Sequence, residues 1–189
     1  MPFAESYGVE MKPPKNIKYS DDFQTPPNTL EPLYPFLEPY KTIWEPAAGE
    51  CNLVRALENH LHDVIATDIQ YDESIDFLAD DYFIEGYDAI VTNPPYSLKN
   101  KFLAKCYEIG KPFALLLPLT ALESWERQKY YVKYGLELIL FDKRINFITP
   151  SKGKSASWFA SGWFTWGLNI GKQLTFAKLL DTTILKEKE

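Results

Sequence analysis

Asn93, Pro94, Pro95 and Tyr96 stand at the end of a short apolar run, in the stretch AIVTNPPY. Neither proline can donate to a sheet ladder, so a strand must stop there, and their fixed φ makes the turn rigid. The Asn93 side-chain oxygen and the Pro94 carbonyl are then two acceptors held beside one aromatic ring. That set suits a planar amine or amide, whose nitrogen is a poor nucleophile because its lone pair is delocalised. Two acceptors placed tetrahedrally draw the nitrogen toward sp³ geometry and stabilise the positive charge that develops as it attacks an electrophile. Tyr96 can stack on the plane and hold it within reach.

A second constellation lies upstream. Glu45-Pro46-Ala47-Ala48-Gly49 is a turn of small residues, the kind that lets a ligand approach backbone closely. Asp68 follows Glu45 by 23 positions. An acid at that spacing, at the next strand end, suits the two hydroxyls of a ribose. The sequence has neither a full GxGxxG fingerprint nor a P-loop. That points away from NAD and ATP and toward a nucleoside without phosphates.

The elements that must position these residues follow from the pattern of apolar runs. KTIW (41–44), DVIATD (63–68), YDAIVTN (87–93), FALLLPL (113–119) and LELILF (136–141) read as strands. NLVRALENH (52–60), with Asn52 as its cap, KNKFLAKCYEIG, closed by Gly110, and LESWERQKYYVKYG, ending at Gly135, read as helices. Prolines keep any helix in TPPNTLEPLYPFLEPY short, with Leu30, Leu33 and Leu37 on one side. The aromatic stretch SWFASGWFTWGL (157–168) suits a late antiparallel strand or hairpin, with Trp163 and Trp166 serving the core. Strands alternating with helices predict a parallel, doubly wound α/β sheet, whose ligands sit beyond the carboxyl ends of its strands. Glu45–Gly49, Asp68 and Asn93–Tyr96 all fall on such ends.

Composition sets the surroundings. The 189 residues fit one domain, 46% of them hydrophobic and 24% charged. No apolar run approaches the roughly 18 residues of a membrane span, and the N-terminus lacks a secretory layout. Cys51 and Cys106 form no metal spacing with His60 or His62. The expectation is an intracellular, cytoplasmic, metal-free protein. The net charge is −6, yet the ten acidic residues between Ala56 and Leu98 face no Lys or Arg, so the remainder carries +4. Lys143, Arg144, Lys152 and Lys154 form one of three basic clusters, which leaves a nucleic-acid-binding face open.

With both constellations in hand, the chain resembles the S-adenosylmethionine-dependent amino-methyltransferases, and within them the DNA adenine-N6 methyltransferases of small phages and prophages. The resemblance runs along residues 22–166. DFQTPP (22–27) looks like the N-terminal cofactor motif, which implies Thr25 near the methionine carboxylate. EPAAGECNL (45–53) looks like the first cofactor loop, implying Glu45, Pro46, Ala47 and Gly49 as cofactor contacts. TDI (67–69) supplies Asp68 for the ribose, with Ile69 beside it. DFL (76–78) looks like the adenine segment, with Asp76 at the exocyclic amine and Phe77 against the ring. NPPY (93–96) is the catalytic signature, so Asn93, Pro94, Pro95 and Tyr96 are implied at the acceptor and Asn93 also borders the cofactor. RINF (144–147) is similar to the late motif that holds a flipped base, which implies Phe147 on the base, with Arg144, Lys152 and Lys154 on the polynucleotide. The first loop departs from the pattern, since Cys51 stands where a second glycine is usual.

The resemblance implies a Rossmann-like, mostly parallel seven-stranded sheet with a C-terminal antiparallel strand or hairpin. It implies S-adenosyl-L-methionine as cofactor, no metal, and DNA as partner. The expected organisation is a flexible arm over 1–20, one catalytic domain over 21–180, and a polar tail over 181–189. No separate target-recognition domain is expected, because only 39 residues follow Pro150. Because NPPY also serves guanine N2 in RNA and glutamine in proteins, those acceptors stand as alternatives. A protein that binds or depletes S-adenosylmethionine without transfer is the alternative of another class.

Overall fold

Central strands buried along nearly their whole length build the molecule from the inside. The structure is a computed structural model that describes residues 23–73, 75–79, 84–149, 153–154 and 159–181; at 149, 153 and 154 it describes the backbone. The expected arm over 1–20, the tail from 182, Lys152, Trp158 and the Lys154 side chain lie outside the described residues.

The strands are β1 (Thr42–Glu45), β2 (Asp63–Ala66), β3 (Ala89–Thr92), β4 (Phe113–Pro118), β5 (Glu137–Phe141), β6 (Ile148–Thr149), β7 (Gly153–Lys154), β8 (Ser161–Trp166) and β9 (Leu174–Ala177). The helices are α1 (Tyr34–Leu37), α2 (Asn52–Asn59), α3 (Lys99–Ile109) and α4 (Trp125–Tyr134). Seven strands form one sheet in the order β2-β1-β3-β4-β8-β5-β9, while β6 and β7 make a separate antiparallel pair. Strand β8 runs antiparallel between β4 and β5, and the other pairings of the large sheet are parallel. The sheet is thus the mostly parallel, doubly wound one expected, with the late aromatic stretch as its antiparallel strand. Strand β9, parallel to β5 at the edge, had no counterpart in the sequence reading.

Both faces of the sheet are covered, and successive side chains divide between them. Ile43, Val91, Leu116 and Trp163 join Leu30, Leu33, Leu37, Leu53 and Leu57 in one core. Trp44, Ile90, Leu115 and Phe164 join Phe77, Phe102, Leu103 and Phe113 in the other. The prolines of 26–39 limit the N-terminal segment to a short 3₁₀ turn (Pro27–Thr29) and the single turn of α1. Its three leucines are nevertheless fully buried. The Trp163 indole N–H donates to the Thr29 carbonyl at 2.7 Å, so the central antiparallel strand and the N-terminal segment hold each other. Trp163 is therefore a core residue, as expected. Trp166 is half-buried and donates to the Tyr134 carbonyl at 2.8 Å.

One expectation about α2 is corrected. Its N-cap is Cys51, in the left-handed region at φ 60°, and it makes no side-chain capping bond. Asn52 is the first helical residue, and its side-chain oxygen instead accepts from Arg55 at 2.6 Å. Helix α3 ends as expected on Gly110, at φ +72°.

Strand β1 is the reversal point of the winding. Its two neighbours are β2 and β3, so successive connections leave it in opposite directions. Such a point opens a crevice beyond the carboxyl ends of the adjoining strands.

The close approach of β8 to β5 generates a stability prediction. A Cβ on Gly162 would lie 2.8 Å from the Ile139 carbonyl oxygen, which is backbone and cannot swing aside. Gly162→Ala is expected to destabilise the fold by roughly 1–3 kcal/mol through overpacking, seen as a lower denaturant midpoint with an unchanged slope. A midpoint equal to wild type would show that the sheet relaxes freely there.

Candidate active site

The reversal point gathers the three sequence constellations. Strand β1 ends on Glu45, and the following turn reaches across to the chain beyond β2: the Ala48 N–H donates to the Thr67 carbonyl at 3.0 Å, and the Thr67 N–H to the Glu45 carbonyl at 2.9 Å. Gly49 sits at φ +48°, and a Cβ there would come within 3.1 Å of the Gln24 side chain. The positive φ favours glycine there, whereas the Gln24 side chain could give way to a Cβ. The Gly49 N–H donates to Asp68 Oδ2 at 2.8 Å, and the Gln70 N–H donates to Oδ1 at 2.8 Å. Asp68 is thus buried and tied to both loops, while each carboxylate oxygen keeps a further acceptor position. Cys51 takes the left-handed conformation itself, at the position where the resemblance leads one to expect glycine, so the loop keeps its path. For an L-residue that conformation costs roughly 1–2 kcal/mol.

Two adjoining cavities open here. The first, of about 230 Å³, is lined by Gln24, Thr25, Glu45, Gly49, Asp68 and Asn93 among others. The second, of about 620 Å³, is lined by Pro46, Ile69, Asp76, Phe77, Lys101 and Phe102 among others. Ala47, Asp68, Gln70 and Pro95 line both, so Asp68 stands at their junction. In the second cavity the Leu78 N–H donates to Asp76 Oδ1 at 2.8 Å, and Phe77 stacks on Phe102 at 4.8 Å.

The first cavity is acidic. Glu45, Glu50 and Asp68 line it and, among the described residues, no Lys, Arg or His does. Glu45 is fully buried. Its Oε1 accepts from the Ala47 N–H at 2.9 Å, and its Oε2 has no protein hydrogen-bond partner among the described residues. Burial first, and the charge of Asp68 to a smaller extent, push the Glu45 carboxyl up to about 8, against the opposing influence of the Thr92 hydroxyl and the Ala47 N–H. The Thr92 hydroxyl is close enough to favour the carboxylate but does not meet hydrogen-bond geometry. The chamber therefore carries a deficit of positive charge.

At the end of β3, Asn93 is held in one orientation. Its Nδ2 donates to the Phe23 carbonyl at 2.9 Å. Its Oδ1 is buried and has no protein partner among the described residues. Pro95 lines both cavities, whereas Pro94 is buried. The Tyr96 ring joins Phe23, Phe147 and Phe159 in a cluster, with Tyr96 5.9 Å from Phe23 and 5.5 Å from Phe159. The residue after Phe23 is stitched in too: Gln24 and Ile148 exchange two backbone hydrogen bonds of 3.0 Å.

Of the residues singled out by sequence, Thr25, Glu45, Ala47, Gly49, Asp68 and Asn93 surround the first chamber, and Pro46, Ile69, Asp76 and Phe77 the second. Phe147 differs from the expectation of an exposed stacking face. It is 1% exposed and lies within the core, beneath the other rings. Arg144 is exposed on the loop after β5. Sequence reasoning passed over Phe23, Gln24, Gln70 and Tyr71. Tyr71 donates its hydroxyl to the Gly49 carbonyl at 2.8 Å, and Gln24 Oε1 accepts from the Glu50 N–H at 3.2 Å. Their signal was contiguity alone, with Phe23 and Gln24 preceding TPP and Gln70 and Tyr71 following TDI.

No protein-family model matches the sequence, and no curated protein matches it. Solved structures do resemble the fold. A protein of Listeria monocytogenes assigned to the class I S-adenosylmethionine-dependent methyltransferases aligns with a TM-score of 0.59 and 15% identity, over 92% of this chain and 71% of that one. A Vibrio vulnificus protein assigned as the modification subunit of a type I restriction enzyme aligns with a TM-score of 0.51 and 13% identity, over 76% of this chain and 44% of that one. This chain thus spans less than half of the second protein. At these identities the likeness is one of fold: the chain has the Rossmann-like, seven-stranded architecture that these proteins share.

Proposed function

We propose that the chain transfers a methyl group from S-adenosylmethionine to the exocyclic N6 amine of adenine in DNA. The observation that carries this reading is the Asn93 amide. With its nitrogen committed to the Phe23 carbonyl, its buried oxygen can only be an acceptor, and it borders the chamber that Glu45 and Asp68 line. An acceptor fixed before the reaction, in a dry site, stabilises charge developing on an amine without reorganisation.

The residues present fit the cofactor. When bound, S-adenosylmethionine supplies a methyl group on a cationic sulfonium. The acidic first chamber suits the charged amino-acid half, with Thr25 toward its carboxylate and Glu45 compensating positive charge. Asp68, at the junction, suits the ribose hydroxyls. The second chamber, with Asp76 and the Phe77 ring, suits the adenine. Asn93 Oδ1 and the Pro94 carbonyl act on the acceptor amine, and Tyr96 holds the base. The fold likeness to class I methyltransferases supports the cofactor, and the neighbour assigned to a restriction system is consistent with DNA as acceptor. A base in a duplex must be flipped out for this chemistry. Arg144, Lys152 and Lys154 are the proposed phosphate contacts in a segment, Asp142–Lys154, of net charge +3. The deciding experiment is transfer of radiolabelled methyl to unmethylated DNA, RNA and protein in parallel. Label in RNA or protein alone would move the acceptor, and cofactor binding with no transfer at all would favour a sequestering protein.

Asp68→Asn retains the shape of the side chain but removes its charge and sets an amide N–H against one of the two backbone donors, Gly49 or Gln70. It is expected to weaken cofactor binding by about 1.5–3 kcal/mol, roughly 10- to 150-fold in Kd. Calorimetry checks this, and an unchanged Kd would remove Asp68 from the ribose. Asn93→Ala is expected to lower kcat roughly 100- to 1000-fold, by analogy with the loss of one preorganised donor, while cofactor Kd holds. Normal turnover by the variant would refute the acceptor role.

Glu45 makes the apo protein's stability depend on pH. Its folded pKa of about 8 lies above the ordinary 4.5, so between those values the folded state holds the extra proton. That contribution is fully present below pH 4.5 and lost as pH rises to about 8, with a slope of at most about 1.4 kcal/mol per pH unit. Glu45→Gln should flatten the fall in apo Tm between pH 5 and 8. A bound cation favours the carboxylate, so cofactor binding to wild type should also release a proton near pH 7, read from calorimetry in buffers of different ionisation enthalpy. Identical pH profiles for wild type and Glu45→Gln would contradict the assignment.

A further inference from the structure

We infer that Phe23 is the second wall of the acceptor slot, so that a nucleobase stacks between Phe23 and Tyr96 while its amine meets the Asn93 oxygen. This rests on the transferase reading above and adds to it a residue that none of the sequence motifs assigned.

The ring geometry carries the argument. Phe147 and Phe159 stand edge-on to Tyr96, at 83° and 74°. Phe23 lies nearly parallel to it, at 27° and 5.9 Å between centroids. A planar ligand needs two faces of that kind. The pair is closer than a base between them requires, so a modest parting of the two rings admits one. Phe23, Tyr96 and Phe159 are half-buried, whereas Phe147 is 1% exposed. Phe147 is therefore the floor beneath the slot, and Phe159, edge-on to Phe23 at 88°, closes one end.

The backbone explains why Phe23 is placed with precision. The same residue whose ring faces Tyr96 offers its carbonyl to Asn93 Nδ2 at 2.9 Å. One residue on, Gln24 is paired with Ile148 through two 3.0 Å bonds. Phe23 also lines the chamber that Asn93 borders. The stacking plane and the acceptor oxygen are thus referenced to one peptide unit, and base stacking of this kind tolerates any base sequence around it.

The test compares Phe23→Leu and Phe23→Met, which keep apolar bulk, with Phe23→Tyr, which keeps the ring. Cofactor Kd, Tm, and kcat and KM on unmethylated DNA are measured for each. Stacking binds the extruded base equally before and during transfer, so its loss raises KM with little change in kcat. Leu and Met should each raise KM for DNA roughly 10-fold or more, a larger change than any in cofactor Kd, and Tyr should remain within about 3-fold of wild type. If Leu or Met matches wild type, or if Tyr fails as badly as they do, the ring is only apolar packing and the inference falls while the transferase reading stands. Transfer by wild type to protein and not to nucleic acid, or cofactor binding without any transfer, would overturn the base slot together with the acceptor reading. Wild-type transfer in the same assay separates the two failures.

Discussion

The site depends on one side-chain hydrogen bond, from Asn93 Nδ2 to the Phe23 carbonyl. An amide left to itself can present nitrogen or oxygen to a ligand. Here the nitrogen is committed, and the oxygen is left buried without a protein partner among the described residues. Much of the architecture serves to make that commitment rigid. Strand β3 is buried along its whole length and delivers Asn93 at its carboxyl end. The prolines that follow stop the ladder and stiffen the turn. On the other side, the N-terminal segment that carries Phe23 is anchored by its buried leucines, by the Trp163 bond to Thr29 and by the Gln24–Ile148 pairing. Segments distant in sequence therefore agree on where one oxygen points.

The electrostatics follow a similar logic. Asp68 uses its two oxygens to tie the turn after β1 to the chain after β2, so the residue that closes the loops is also the charge at the junction of the chambers. Glu45 is buried with one oxygen unpartnered among the described residues. The Glu45 arrangement does not stabilise the empty fold: an unsatisfied buried polar atom costs about 1–3 kcal/mol. Such conflicts between local rule and global fold belong at functional sites. The unpartnered Asn93 and Glu45 oxygens both face the first chamber, whereas Trp163, the largest fully buried side chain, has its polar atom satisfied by Thr29.

How far the sequence carried the reading depends on whether the information was local. Strands β3 and β4 were legible because apolar runs beside glycine and proline allow little else. The acids and the NPPY turn were legible because strand ends put them on one edge. Strand β9 was not, since its alternating exposed and half-buried residues resemble a surface segment until β5 pairs with it. The α2 cap was misread for a related reason: Asn52 has the better capping side chain, but the path to Asp68 requires the left-handed residue one position earlier, and that is Cys51. Phe147 does not take the place on a base that motif order suggests: it is buried in the core, while Phe23, to which the motifs gave no role, lines the first chamber. Which of two phenylalanines faces a cavity is decided by the Gln24–Ile148 pairing, a contact across more than a hundred residues that no pattern of spacing contains.

That pairing also bears on how the chain assembles the ring cluster that the proposed reading gives to a base. The rings of this cluster, Tyr96 included, come from four places: before the first strand, after β3, after β5 and before β8. None of these segments is regular enough to hold an aromatic by itself. Each is fixed by a contact to another: Phe23 through Asn93, Phe147 through the core and through the Ile148 bridge beside it, Phe159 through the strand that starts two residues later. Removing one contact loosens a neighbouring wall as well, so effects of substitutions around the cluster should not add. The precision of the aromatic cluster is then a property of the cluster as a whole, and on the proposed reading the N-terminal segment belongs to the acceptor site rather than being a cover laid over a finished sheet.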